Sequence, residues 1–256
     1  MNALESRLGR TMKSLLLALS FLTVIPIKIS APQAGDLGRA AMWFPFIGLG
    51  LGAALAAAHT ALGFIFPPLL TAALVVALWA AITGGLHLDG LADCCDGLLA
   101  AASPERRLDI MRDPRVGAFG VVGVALFLAI KIGAVASLAP GSMPYVFLLA
   151  PCLARWLILP VAVQPPARVG GMGADFALSL NRLVFAGAAL IPITLMIIGG
   201  WQAIIAVALA HAAAFAVIAL ARARLGGVTG DVFGLTVEIA ELATLLTFAF
   251  QVPSVP

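Results

Sequence analysis

Charge is what this sequence has least of. Only 11% of its 256 residues are Asp, Glu, Lys or Arg, and a formal balance of +3 is too small to build the basic surface a nucleic acid demands. No nucleic-acid partner is expected. Cysteine is scarce too, with Cys94, Cys95 and Cys152 the complete set. An odd count gives no disulfide framework, and the neighbours Cys94 and Cys95 lack the C-x-x-C spacing of zinc and thioredoxin sites, so all three read as small apolar filler. A small-residue cleavage site is missing after the apolar run 14–27, which Arg7, Arg10 and Lys13 precede, Pro26 interrupts and Lys28 follows. That run is expected to stay on the chain rather than leave as a signal peptide.

Apolar residues fill the space instead. They make up 62% of the chain, with a mean hydropathy of +1.10, against roughly 45–50% in soluble domains. This composition excludes a soluble protein. It predicts an all-α fold, a polytopic integral membrane helix bundle in the lipid bilayer, forming a single membrane-embedded domain over residues 1–256. About seven spans are expected, at 41–66, 69–85, 117–138, 145–163, 184–198, 201–221 and from 235 onward, bounded by Pro67 and Pro68, Gly84 and Gly85, Pro140 and Gly141, and Gly199 and Gly200. Residues 14–27 are short for a span and read as an interfacial or re-entrant helix.

The connections alternate. Those at Pro67, Pro140 and Gly199 carry no charge, whereas those around Lys28, Arg106, Arg168 and Arg222 hold nearly all the lysine and arginine. The positive-inside rule assigns the charged set to the cytoplasm and predicts an outward C-terminus.

One charged stretch stands apart. Residues 84–97 read Gly-Gly-Leu-His-Leu-Asp-Gly-Leu-Ala-Asp-Cys-Cys-Asp-Gly. Asp89, Asp93 and Asp96 stand at i, i+4 and i+7, so on a helix their side chains fall within roughly 60° of one another. Two carboxylates ~4 Å apart repel by about 4 kcal/mol at an effective dielectric near 20, so such a cluster needs protons, basic groups or a cation. Mg²⁺ suits hard oxygen ligands whose shell is completed by phosphate, which makes Asp89, Asp93 and Asp96 the candidate metal ligands. His87 points away from Asp89 and is a hydrogen-bonding neighbour or substrate contact.

The segment 106–120 mixes arginines suited to bidentate phosphate binding with further acids. Arg106 and Arg107 read as headgroup anchors. Arg112, Asp113 and Arg115 border a proline and a glycine turn entering a span, so they are held in place. Arg155, Glu238 and Glu241 lie inside apolar segments, where an ionised group costs at least ~2.5–3.5 kcal/mol, so they face the interior as an ion pair or as substrate or metal contacts. His59 and His211 read as packing residues. Nothing in the pattern explains Lys131.

The combination His87-Leu88-Asp89-Gly90-Leu91-Ala92-Asp93 with Asp96-Gly97 resembles the signature of the cobalamin synthase (adenosylcobinamide-GDP ribazoletransferase) family. Phe21-Leu22-Thr23 with Ile25-Pro26, Phe44-Pro45 with Ile47-Gly48, residues 110–115 with Gly117 and Phe119-Gly120, and Thr229-Gly230-Asp231 with Glu238 and Glu241 extend the likeness over most of the chain. The chain departs from the family at Val24, where arginine is usual, and at Cys94 and Cys95. The resemblance implies a Mg²⁺-dependent inner-membrane enzyme that joins adenosylcobinamide-GDP to α-ribazole or its 5′-phosphate and releases GMP. Its site would face the cytoplasm, with a homo-oligomer or a biosynthetic complex as the wider assembly. On this reading Asp113 is the first candidate for the catalytic proton acceptor and Asp89 the second. Arg112, Arg115, Arg155, Arg168, His87 and Asp231 are the candidate substrate and phosphate contacts.

Asp93-x-x-Asp96-Gly97 also resembles the CDP-alcohol phosphotransferases, lipid enzymes that run the same reaction type, although Ala101 stands where their arginine would be. A cation-coupled transporter is the rival from another class, since acids within spans also mark ion paths.

Overall fold

The computed structural model describes residues 3–29, 33–168, 176 and 178–250. Among these residues the regular structure is helical, apart from one parallel bridge between Pro166 and Val228. In chain order the helices are α1 (Ala3–Leu22), α2 (Asp36–Ala40), α3 (Phe44–Gly63), α4 (Pro68–Ile82), α5 (Leu86–Leu99), α6 (Pro104–Ile110), α7 (Ala118–Ala136), α8 (Met143–Trp156), α9 (Ile158–Ala162), α10 (Arg182–Ile198), α11 (Gly200–Leu225) and α12 (Gly230–Ala249).

Among the described residues, five stretches are long and apolar enough to cross a membrane: Asp36–Gly63, Ala118–Ala136, Met143–Ala162, Gly200–Leu225 and Gly230–Ala249. Helices α4 and α5 together form a bent pair that would make a sixth crossing, and α10 is apolar but shorter, so the structure has five or six crossing helices where the sequence pattern suggests about seven. The protein is therefore a multi-pass helical bundle. Helix α1 starts well before residue 14 and is not among the crossing helices. It buries Leu17, Ala18 and Leu22, and its Phe21 ring stacks on Phe44 at 5.7 Å.

Glycines set the closest helix contact. Gly48 and Gly52, one turn apart on α3, lie flat against α8, where a Cβ on either would strike the carbonyl of Pro151 or Phe147. Small residues at i and i+4 let two membrane helices approach to backbone distance.

A second device turns the chain. Gly84 and Gly85 take φ of +63° and +69°, left-handed values that suit glycine, and α5 leaves α4 at 92°. The Val24 amide donates to the Ile82 carbonyl at 2.9 Å and pins the N-terminal segment to this elbow. Helix α5 thus runs across the end of the bundle.

Helix α12 lies in the middle, packed on α5, α7, α8 and α11. Its Glu238 and Glu241 receive the Lys131 ammonium at 2.8 and 2.6 Å, and Glu241 also pairs with Arg155. Lys131 sits 4.2 Å from the centre of the Trp79 ring. Two cations and two anions therefore tie α7, α8 and α12 together, with α4 supplying an aromatic face. This resolves Lys131, for which the sequence alone has no account.

The charged and uncharged connections occupy separate ends. The Ala167 amide donates to Val228 and the Val228 amide to Pro165, both at 2.9 Å, which joins the loop around Arg168 to the loop after α11. The Arg168 guanidinium donates to the Leu108 carbonyl and brings α6 to the same place. At the other end, the uncharged turns after α3 and α7 line one cavity of about 510 Å³. The Tyr145 hydroxyl donates to Leu195 at 2.7 Å there, beside the turn at Gly199.

Candidate active site

The site is built where α5 crosses α12. A Cβ on Gly234 would lie 3.0 Å from the His87 carbonyl and 3.2 Å from Gly90 Cα, and one on Gly90 would lie 2.7 Å from the Asp231 carbonyl. Only two glycines permit that approach. It sets the first turn of α12, with Asp231, directly against the turn of α5 that carries Asp89. The sequence pattern, with its last span from 235 onward, leaves Asp231 in the connection before that span. Helix α12 instead starts at Gly230, because Thr229 takes the extended N-cap conformation and Asp231 lies favourably at the positive end of the helix dipole.

Asp93 stands one turn beyond Asp89 on α5, half-buried, and the charges of Asp231, Asp89 and Asp96 all bear on it. Asp89 is exposed, and no hydrogen bond holds its carboxylate among the described residues. Asp231 Oδ2 accepts from the Thr229 hydroxyl at 3.0 Å. A cavity of about 100 Å³ opens beside this group, lined by Phe21, His87, Asp89, Gly90, Ile158 and Asp231 among others. His87 is 3% exposed and its Nδ1 has no hydrogen-bond partner, a polar atom held at the wall of the cavity.

Arg168 supplies the facing cation. Burial and the neighbouring Arg112 draw its guanidinium below the usual range, while Asp231 and Asp109 act to hold it up, so it lies within the fields of both the arginine turn and the acid group. Its Nε is buried without a partner. Arg112 itself is exposed.

The remaining expected residues have other company. Arg115 Nε and Nη2 grip the two oxygens of Asp113 at 2.9 and 2.7 Å, and the Arg115 amide adds a third bond at 3.0 Å. Those contacts hold the Asp113 carboxyl well below the usual carboxylate range. Arg155 is 1% exposed and pairs with Glu241 inside the bundle, and its Nη2 is buried without a partner. Asp96 is 9% exposed, and its oxygens accept the amides of Gly117 at 2.7 Å and Gly120 at 2.9 Å.

Arg107 is not the headgroup anchor that its place in a basic loop suggests. It is 5% exposed and donates to the carbonyls of Ala102, Gly97 and Leu98 at 2.9, 3.0 and 2.7 Å, closing the last turn of α5. Cys94 and Cys152 are buried free thiols, and the Cys95 sulfur fills the space over Gly123 on α7. All three pack as apolar filler.

No group of three or more His, Cys, Asp or Glu among the described residues converges into a ready-made metal cage. Mg²⁺ does not require one. It binds through one or two carboxylates with water and substrate phosphate in the remaining positions, and the hard oxygens of Asp89 and Asp93 fit that demand.

The sequence profile described as cobalamin-5-phosphate synthase matches residues 14–249. An adenosylcobinamide-GDP ribazoletransferase from Ectopseudomonas mendocina (strain ymp) is 39% identical over 238 residues, covering 92% of this chain and 98% of that protein. Proteins of the same name from Desulfitobacterium hafniense (strain Y51) and Thiobacillus denitrificans (strain ATCC 25259 / T1) are 39% and 40% identical, each over 92% of this chain and over 96% and 94% of their own lengths. No solved structure matches significantly.

Proposed function

The chain belongs to the cobalamin-5-phosphate synthase family, and from that premise we propose that its acid-lined cleft joins adenosylcobinamide-GDP to α-ribazole or its 5′-phosphate and releases GMP. The enzyme is a membrane-embedded transferase acting in the joining step of cobalamin assembly. The observation that carries the site is the glycine crossing, which sets Asp231 of α12 against the turn of α5 bearing Asp89.

In this reading Asp89 and Asp93 would hold Mg²⁺ next to the pyrophosphate of the GDP-activated corrinoid. The metal, when bound, supplies charge neutralisation on the phosphate oxygens. Arg168 and Arg112 bind the phosphate on the guanosine side, where negative charge grows as GMP leaves. Asp231 orients the acceptor ribose from the opposite wall, and His87 offers its unpartnered Nδ1 to the same ligand. The attacking hydroxyl must lose a proton. The Arg115 fork on Asp113 argues against that residue, because a carboxylate already paired with a guanidinium takes a proton poorly; Asp89, whose carboxylate has an oxygen to spare beside a metal bound through the other, is the acceptor. The charged loops share the end of the bundle that holds the cleft, which supports a cytoplasmic site in the inner membrane, where a nucleotide-activated substrate is available.

Asp93→Asn tests the metal role. GMP release is expected to fall by on the order of 10³-fold while the protein still inserts and purifies as a folded bundle. Turnover near that of the wild type would sink the assignment.

A further inference from the structure

Helix α7 starts without a cap of its own. Its N-cap is Gly117, which has no side chain to offer the first-turn amides, and the next residues are Ala118, Phe119 and Gly120. The missing acceptor comes from another helix: Asp96 of α5 takes the Gly117 amide on Oδ2 and the Gly120 amide on Oδ1. The recess it occupies is made of glycine. A Cβ on Gly117 would lie 2.9 Å from Asp96 Cγ, and one on Gly120 would run into Oδ2 of the same carboxylate.

We propose that Asp96 is a positioning residue, whose carboxylate caps α7 and so fixes the turn carrying Arg112 beside the cleft, leaving the metal to Asp89 and Asp93. The proposal rests on the reaction proposed above. Three further observations support it. The positive end of the α7 dipole sits on the Asp96 carboxylate, which favours the anion there and disfavours a cation at the same oxygens. The segment that leaves Asp96 is clamped again by Arg107 on the carbonyls of Gly97 and Leu98, with Met111 packed over Gly97. The turn at 111–116 is therefore held at both ends, by Arg107 on one side and by Asp96 on the other. Its Arg112 in turn bears on Arg168, which lies in the field of Asp231.

The test uses the full-length protein in lipid nanodiscs, as wild type, Asp96→Asn, Gly120→Ala and Asp93→Asn. Asparagine keeps the shape of Asp96 but offers one acceptor oxygen. Loss of the cap is expected to speed amide exchange at Gly117 and Gly120 by on the order of fivefold or more, a readout that needs no substrate. Asp96→Asn and Gly120→Ala should each raise KM for the GDP-activated corrinoid by on the order of tenfold, and in Gly120→Ala, which leaves every charge near Asp93 in place, the Mg²⁺ concentration for half-maximal rate should stay within about twofold of wild type. Asp93→Asn should move that Mg²⁺ concentration by roughly tenfold or more. A shift in Mg²⁺ dependence in Asp96→Asn that matches Asp93→Asn, with exchange unchanged, would overturn the proposal, and so would a wild-type KM in both cap variants. Should Asp96→Asn fail to fold, Gly120→Ala reads the same contact from the other side. Failure of the underlying reaction looks different: the wild type itself would release no GMP while amide exchange still responded to Asp96→Asn, and the positioning role would fall with the reaction.

Discussion

Asp113 is fully engaged by one neighbour, since Arg115 spans both of its oxygens from two residues away. Such a carboxylate is a poor proton acceptor at neutral pH, so Asp113→Asn should lower the rate of GMP release by less than about tenfold, a loss of anchoring rather than of chemistry. A fall on the order of 10³-fold in a steady-state assay would instead return the proton to Asp113. Residue by residue, what the sequence conveys is local. Asp89 and Asp93 are one helical turn apart, and that spacing is visible in any helix. The partners of Asp96 lie 21 and 24 positions away, and those of Arg155 and Lys131 lie 86 to 110 away. Nothing in their own surroundings names those partners. One signal was available for Asp96, namely a helix opening on Gly117 and Gly120 after Pro114 with no capping side chain of its own.

At the scale of elements, the apolar segments were legible because proline and glycine punctuate them and because a span has a minimum length. The start of α12 was not, since a glycine-rich stretch reads as loop until α5 is known to need Gly234 bare at the crossing. The 92° elbow at Gly84 and Gly85 was marked as a boundary, but its angle depends on left-handed backbone that composition does not specify. The buried charges of α7, α8 and α12 behave as one unit, because removing any member leaves an uncompensated ion inside the bundle. Glu241→Gln strands both Arg155 and part of Lys131, and should cost about 3–5 kcal/mol of stability, read as a lowered thermal midpoint in detergent. A loss under about 1 kcal/mol would mean that water or lipid already screens the group.

For the whole molecule, the alternation of charged and uncharged connections predicts two chemically distinct ends, and the fold has them. Loops from four parts of the sequence meet at the cleft, whereas the turns after α3, α7 and α10 gather at the far side. The proposed site thus lies at the rim of the bundle, and the buried charges of α7, α8 and α12 balance one another rather than lining a path. At this rim, on the proposed reading, two halves of a cobalamin are joined by phosphoryl transfer. Incubating the purified protein with adenosylcobinamide-GDP and α-ribazole, with Mg²⁺ or with EDTA, tests it directly. GMP and adenosylcobalamin are expected in equal amounts with Mg²⁺ and neither with EDTA; no GMP under any condition, or release unaffected by EDTA, would exclude this chemistry.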